Sequence, residues 1–464
     1  MKRLSYIVIA LVVAVTLGLS GCTSAHVDRC KELKEIAKAT YNNITDTFTE
    51  ETCSYSLVSD YLKSWAASSN VDVAKLGKHY TVLRNKATDG CSKVKKTTLQ
   101  VSVNTDDIQS DTKVFAVALA ELMGPDEHGD IILIVLEEKG ANLIGARQID
   151  KKYLKCDNFI NIQNSSKTLL YEKGSLDASE TLYTKAGTGK PDYENAYEII
   201  MTMPEYSDPY AFEKKNNYPN PINTIGSLLA NAKSAGKLFE IASFTSESNE
   251  GCTPYSAKAI VVIDPNHVEA FKNKFDKSFA SMENKFDKLE TSFVYTMNQL
   301  DDTPKSVLSN KSADNLISLM YTLNTGISEQ DENTGIIQSA SYIKEISTGN
   351  GDITIRMGER ARTKEAMTNL RDVTSVTTGL CDFKLKSGKV RKTWSTDTKA
   401  RLYDYFIGRV PLPDNESPIM LKSNECEILY AKCPEMNMIS YYCNMDDRYE
   451  LMEDITHYLI GLTE

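Results

Sequence analysis

Apolar positions along this chain keep two different periods, and the changes between them mark its elements. From Cys30 to Trp65 the spacing is helical, with Tyr61, Leu62 and Trp65 on one face, and the pattern stops at the polar turn Ser68-Ser69-Asn70. Tyr80-Thr81-Val82-Leu83 then reads as a short strand, and Leu99, Val101 and Val103 alternate with polar neighbours at the period of a half-buried strand. Val114 to Met123 is an Ala-rich apolar helix, followed by the unbroken run Ile131 to Leu136, which suits a central strand covered on both faces. Strands alternating with helices imply an α/β sheet domain. The middle of the chain differs. A loop rich in Pro and Asn around Asn216 to Pro221 precedes a helix from Ile222 to Ala235 and a strand from Ala259 to Ile263. Val268, Phe271, Phe275, Phe279, Met282, Phe286 and Leu289 then recur at three- and four-residue steps, an apolar stripe along one helix. Because the stripe is short and flanked by strands, packing on a sheet is favoured over a coiled-coil partner. Ile336 to Ile346 and Asp352 to Met357 form a hairpin through Gly349-Asn350-Gly351, so this region reads as a second, α+β domain.

The N-terminus adds a separate signal. Lys2 and Arg3, the short apolar run Tyr6 to Leu17, and Leu19-Ser20-Gly21-Cys22 have the order of an export signal, with an apolar run too short to span a bilayer comfortably. Leu-Ser-Gly-Cys resembles the lipobox of bacterial lipoproteins, which implies cleavage after Gly21 and a diacylglyceryl group on Cys22. Export with lipid anchoring then makes membrane lipid a partner through Cys22, and Thr23, rather than an acid, after it points in a Gram-negative cell to the outer membrane, in either leaflet. Removing residues 1–21 takes away only Lys2 and Arg3 among charged groups, so the formal charge of -10 becomes -12. An acidic chain of this kind makes nucleic acid an unlikely partner. Of ten cysteines, nine remain once Cys22 is lipidated, an odd number without CxxC spacing, so at least one thiol stays free or pairs between chains. Structural zinc is disfavoured by that spacing.

The C-terminal part carries a family resemblance. Cys433-Pro434-Glu435-Met436-Asn437-Met438-Ile439-Ser440, preceded by Asn424-Glu425-Cys426 and followed by Asp446-Asp447-Arg448, resembles the signature of aminoacyl-histidine dipeptidases, also called Xaa-His dipeptidases or peptidase D. Asp60-Tyr61-Leu62 to Trp65, Leu99-Gln100-Val101, Val135 to Gly140 and Glu332-Asn333-Thr334-Gly335 fall in the family's order. The resemblance spans roughly residues 30–464. It implies an α/β fold: a split zinc-exopeptidase-like catalytic domain, a mixed sheet with flanking helices, interrupted by an inserted α+β lid or dimerisation domain. The expected boundaries are 1–21 for the signal, 22–29 for an anchor and linker, 30–174 and 391–464 for the two catalytic-type parts, and 175–390 for the lid, through which a homodimer could form.

The family's chemistry needs two zinc ions with imidazole and carboxylate ligands, a bridging carboxylate and a Glu as general base. Position by position, the resemblance places Ser102 where a zinc-binding His belongs and Asn104 where its orienting Asp belongs. Asp111 aligns with the bridging carboxylate, Glu137 with the general base, Glu138 with a ligand, and Gln163 with a carboxylate ligand. Cys443 stands at the last His, Tyr206 at the lid His and Gly251 at the lid Asn. Arg360 aligns with an arginine that grips a substrate carboxylate, and Glu425 joins Arg360 and Tyr206 as a substrate-binding position. Three of five ligands are changed and both imidazoles are gone; the five histidines, His26, His79, His128, His267 and His457, all fall at other positions. Neutral Ser102 and Gln163 cannot offset the repulsion and desolvation of two divalent ions.

Three functions follow as expectations. The first is a non-catalytic, membrane-anchored lipoprotein that binds a peptide or protein and needs no cofactor. The second is a residual dipeptidase or aminopeptidase with one zinc on Asp111, Glu138 and Cys443. The third is a structural dimeric scaffold. Each motif also has a plain reading: two acids after a buried strand suit a solvated loop edge, and Arg360 suits a surface or a salt-bridging residue.

Overall fold

The computed structural model describes residues 25–49, 52–139, 143–204, 219–249, 252–289, 292–349, 351–410, 412–422, 424–444 and 446–463. The expected signal with Cys22, and the positions Tyr206 and Gly251, lie outside the described residues. No helix among the described residues is long and apolar enough to cross a membrane. The chain divides into two compact units.

The first unit takes the chain up to Gly174, Thr393–Met420 and everything from Asn424 onward. Its seven-stranded sheet runs in the order Asp72–Leu76, Tyr80–Asn85, Ile131–Glu138, Thr97–Asn104, Asn158–Ser165, Met438–Asn444, Leu169–Tyr171. The three contacts that join Ile131–Glu138, Thr97–Asn104, Asn158–Ser165 and Met438–Asn444 are parallel, and the outer pairs are antiparallel. A C-terminal strand is therefore inserted beside one from the first third of the chain, with Ser440 opposite Asn161. The alternation seen in the sequence sorts the two faces. Leu99, Val101, Val103, Leu133, Val135, Ile160, Ile162, Ile439 and Tyr441 enter one core with the helices Ala25–Thr47, Tyr55–Ser68, Ile108–Met123 and Arg448–Gly461. Ile132, Ile134, Leu136, Phe159 and Met438 enter another, with residues of the helices Ile144–Gln148 and Glu425–Lys432. Two covered faces are the reason Ile131 to Leu136 is apolar without a break.

Local chemistry sets the element ends. The expected helix at Val114 begins six residues earlier, at Ile108, because its polar first turn sits at the sheet edge where Asp111 accepts a backbone N–H. It stops at Gly124, whose φ of +66° and a distance of 2.5 Å from a built Cβ to Ile131 Cδ1 exclude a side chain. The single helical stretch expected from Cys30 to Trp65 is two helices, Ala25–Thr47 and Tyr55–Ser68. All nine cysteines among the described residues are free thiols.

The second unit is Ser175–Lys392 with the short piece that starts at Leu421. It is built on a ten-stranded antiparallel sheet that includes Leu176–Lys185, Asn195–Thr202, Phe239–Glu247, Ser256–Ile263, Val294–Gln299, Ile337–Gly349 and Asp352–Ala361. The hairpin closes with Gly349 opposite Asp352. Phe271, Met282 and Phe286 of the Val268–Leu289 helix are buried in the core that the sheet and the Pro221–Ser234 helix share, with Val268, Phe275 and Phe279 half-buried beside them. Stacked Phe286 and Phe293, with centroids 4.4 Å apart, close one end of that stripe. The stripe thus packs within its own unit.

Candidate functional site

A connected group of amides and hydroxyls breaks the apolar sheet of the first unit. On three adjacent strands, Gln100 and Ser102, Asn161 and Gln163, and Ser440 occupy the alternate positions that the helix-side core leaves out. Gln100, Ser102, Asn161 and Ser440 are buried, so each needs a partner. Ser102 Oγ donates to Glu425 Oε1 at 2.6 Å and Gln163 Nε2 donates to Glu425 Oε2 at 3.0 Å. Gln100 Nε2 donates to Ser102 Oγ at 3.2 Å, Asn161 Nδ2 donates to Gln100 Oε1, and Ser440 Oγ donates to Asn161 Oδ1. Asn424 Nδ2 closes the chain on Ser440 Oγ at 3.3 Å. Glu425 opens the Glu425–Lys432 helix, where the free N–H groups of the first turn favour a carboxylate. Charge-assisted bonds to a buried carboxylate are the stronger kind, and the network fixes Glu425 with both oxygens engaged.

Asp111 lies at the sheet edge on the first turn of the Ile108–Met123 helix, its Oδ2 accepting from Asn104 N at 2.8 Å. Burial pushes its carboxyl up to about 6 against the pull of the Asn104 N–H, and the charges of Asp107 and Glu425 push the same way.

Glu137 is buried near the end of the Ile131–Glu138 strand, which corrects the solvated-edge reading. Its Oε2 pairs with His79 Nδ1, and Thr105 Oγ1 donates to its Oε1 at 3.2 Å. His79 was expected away from the aligned positions. The antiparallel pairing of Tyr80 with Leu136 puts His79 across from Glu137, whose N–H donates to His79 O at 3.0 Å. Glu138 is half-exposed at the strand end, its carbonyl accepting from Thr105 N at 2.9 Å.

The single-ion set of Asp111, Glu138 and Cys443 needs correction. Cys443 follows Ile439 and Tyr441 at the strand period, so its side chain is fully buried in the apolar helix-side core, while Ser440 on the same strand joins the polar network. Burial pushes its thiol up to about 12, with Asp447 and Glu450 adding to the rise, far from the thiolate a metal requires. Among the described residues no group of three or more His, Cys, Asp and Glu side chains is placed to hold a metal ion.

Arg360 is salt-bridging, as its plain reading allowed, but it is buried and not at the surface. It lies in the second unit, 2% exposed, on the strand Asp352–Ala361 opposite Asp177, and its Nη2 is 3.8 Å from Asp177 Oδ1. Arg391 Nε holds the other Asp177 oxygen at 2.8 Å. Gln100, Asn161, Ser440, Asn424 and His79 were missed in the sequence. The signal for the first three was the period-two intrusion of amides and hydroxyls into strands that are otherwise apolar; nothing local marks His79 or Asn424.

The first unit is thus a mixed sheet whose C-terminal strand pairs beside an early one, interrupted in sequence by an α+β insertion of about the same size. No family profile and no curated protein matches the chain. Among solved structures, it is similar to aminoacylhistidine dipeptidase from Vibrio alginolyticus, with a TM-score of 0.52, 14% identity, 92% of this chain and 98% of that chain covered. Aminopeptidase PepT from Bacillus cereus follows at a TM-score of 0.45 and 8% identity, over 93% of this chain and 99% of that one. Human carnosine dipeptidase 1 gives 0.38 and 9%, over 94% and 98%. Over 92% of its length the chain shares the fold of the Vibrio alginolyticus dipeptidase.

Proposed function

We propose that this protein is a lipid-anchored envelope protein that keeps the dipeptidase fold without its metal chemistry and binds a peptide or protein segment at the acidic site around Asp111 and Glu425. The observation that carries the reading is the hydrogen-bonded cage around Glu425. Where the resemblance expects zinc ligands, Ser102 and Gln163 instead donate to a buried carboxylate, and those two bonds satisfy it without a cation. Cys443 faces the opposite core, so the remaining donors do not fit even a single zinc ion. Asp111 and Glu425, near enough for the charge of one to raise the carboxyl of the other, make this end of the sheet acidic, which suits the amino terminus or a basic side chain of a peptide. Anchoring through Cys22 belongs to the same proposal, since the lipobox-like sequence supports it.

The test is made on the mature chain without its lipid. Metal content is measured after dialysis against zinc, and a dipeptide panel, His-ending members included, is incubated with zinc, cobalt or manganese beside Glu137→Ala. The expected result is substoichiometric metal and no hydrolysis above the variant. Stoichiometric metal with activity that disappears in Glu137→Ala overturns the reading in favour of a residual peptidase.

A further inference from the structure

A cleft of about 520 Å³ lies within the second unit, between the Pro221–Ser234 and Val268–Leu289 helices, and its chemistry is unlike the rest of this acidic chain. Lys274, Lys277 and Lys285 line it, and among the described residues no Asp or Glu does. The Val268–Leu289 helix carries Glu269, Asp276, Glu283 and Asp287, all outside the cleft lining. Lys272 on the same helix pairs with Glu269 at 3.6 Å, whereas none of the three cleft lysines has a carboxylate within ion-pair distance among the described residues. Lys274, Ser278, Ser281 and Lys285 follow at helical steps on one face, and Ser227 and Asn231 continue a polar face on the opposing helix. Like charges repeated along one helix face repel one another, so the arrangement favours a counter-charge in the cleft.

A second observation concerns the floor. Asn223 lines the cleft and gives its Nδ2 to Thr325 Oγ1 at 2.7 Å, while its Oδ1 is buried without a partner among the described residues. Lys274 and Lys285 are separated by about 16 Å along the axis, within which flexible ammonium groups can converge on one molecule. The volume falls in the range of about 300–1,000 Å³ usual for small-ligand pockets. We propose that this cleft binds a small organic polyanion, its phosphate or carboxylate groups held by Lys274, Lys277 and Lys285.

The test is calorimetric titration of the mature chain at low salt with fructose 1,6-bisphosphate, citrate and glucose as probes. The phosphate and carboxylate arms identify the preferred anion, and glucose reports whether hydroxyls alone suffice. Expected is one-to-one binding of at least one anionic probe, none of glucose, and a tenfold or greater loss of affinity in the variant Lys274→Gln/Lys277→Gln/Lys285→Gln. The control Lys272→Gln/Lys288→Gln removes two charges from the same helix outside the cleft and is expected to leave affinity within twofold. Matching melting curves establish that both variants are folded. Equal losses in the two variants would mean unspecific charge attraction and overturn the proposal, as would the absence of binding by either anion.

Discussion

Glu121 offers a quantitative test of the packing in the first unit. It sits on the Ile108–Met123 helix with no solvent exposure, and Thr456 Oγ1 lies 3.1 Å from each of its oxygens. Arg29 acts on it from the Ala25–Thr47 helix, but the Arg29 guanidinium is already engaged by Glu32 at 2.7 Å and by Gly124 O at 2.8 Å. Burial pushes the Glu121 carboxyl from 4.5 up to about 8, with Thr456 and Arg29 opposing the rise. The folded protein therefore holds this group protonated at neutral pH, while the unfolded chain ionises it above 4.5. Between those values the folded state binds the extra proton, so the contribution is intact at low pH and is lost as pH rises. Each unit of pH in that window is worth ~1.4 kcal/mol, which makes the loss from pH 5 to 7.5 on the order of 3 kcal/mol. Glu121→Gln is nearly isosteric, keeps an oxygen for Thr456 and cannot ionise. The assay is thermal unfolding of wild type and variant across pH 5 to 8. The variant is expected to melt close to wild type at pH 5 and higher at pH 7.5, by roughly 2–4 °C for each kcal/mol in a unit of this size. Parallel pH profiles for the two proteins would refute the argument, because they would show that Glu121 does not change its protonation on folding.

Three further outcomes follow from the same structure. Ser102→Ala deprives the buried Glu425 Oε1 of its 2.6 Å donor and is expected to cost about 1.5–3 kcal/mol in unfolding free energy, read from denaturant titration; an unchanged midpoint would remove the network from the account. A chain truncated after residue 390 lacks the strand Met438–Asn444 that lies between Asn158–Ser165 and Leu169–Tyr171, so it should not yield a folded first unit; a soluble fragment 30–174 with a cooperative melt would contradict this. Cys22→Ala is expected to abolish fatty-acid labelling and membrane attachment in the producing cell, and equal labelling of wild type and variant would exclude lipidation there.

Much of the fold was legible because burial imposes a period on sequence. The alternation of Leu99, Val101 and Val103, the unbroken Ile131 to Leu136 and the stripe from Val268 to Phe286 each named their element and the face it hides. The same rule contained the answer for Cys443, which shares parity with Ile439 and Tyr441; the aligned motif obscured it by suggesting a ligand. What residue spacing alone could not supply was meaning for polar groups distant in the chain. Glu425 meets Ser102 and Gln163 only because the C-terminal part returns to the sheet next to Asn158–Ser165, and His79 meets Glu137 only through an antiparallel register. The cationic cleft likewise depends on two helices, separated by strands in sequence, turning their polar faces toward each other. Apolar burial is a property of each segment against any core, so it is written locally. Hydrogen bonds and charge pairs depend on angstrom-scale distances between particular partners, and those distances are set only when the sheet has closed.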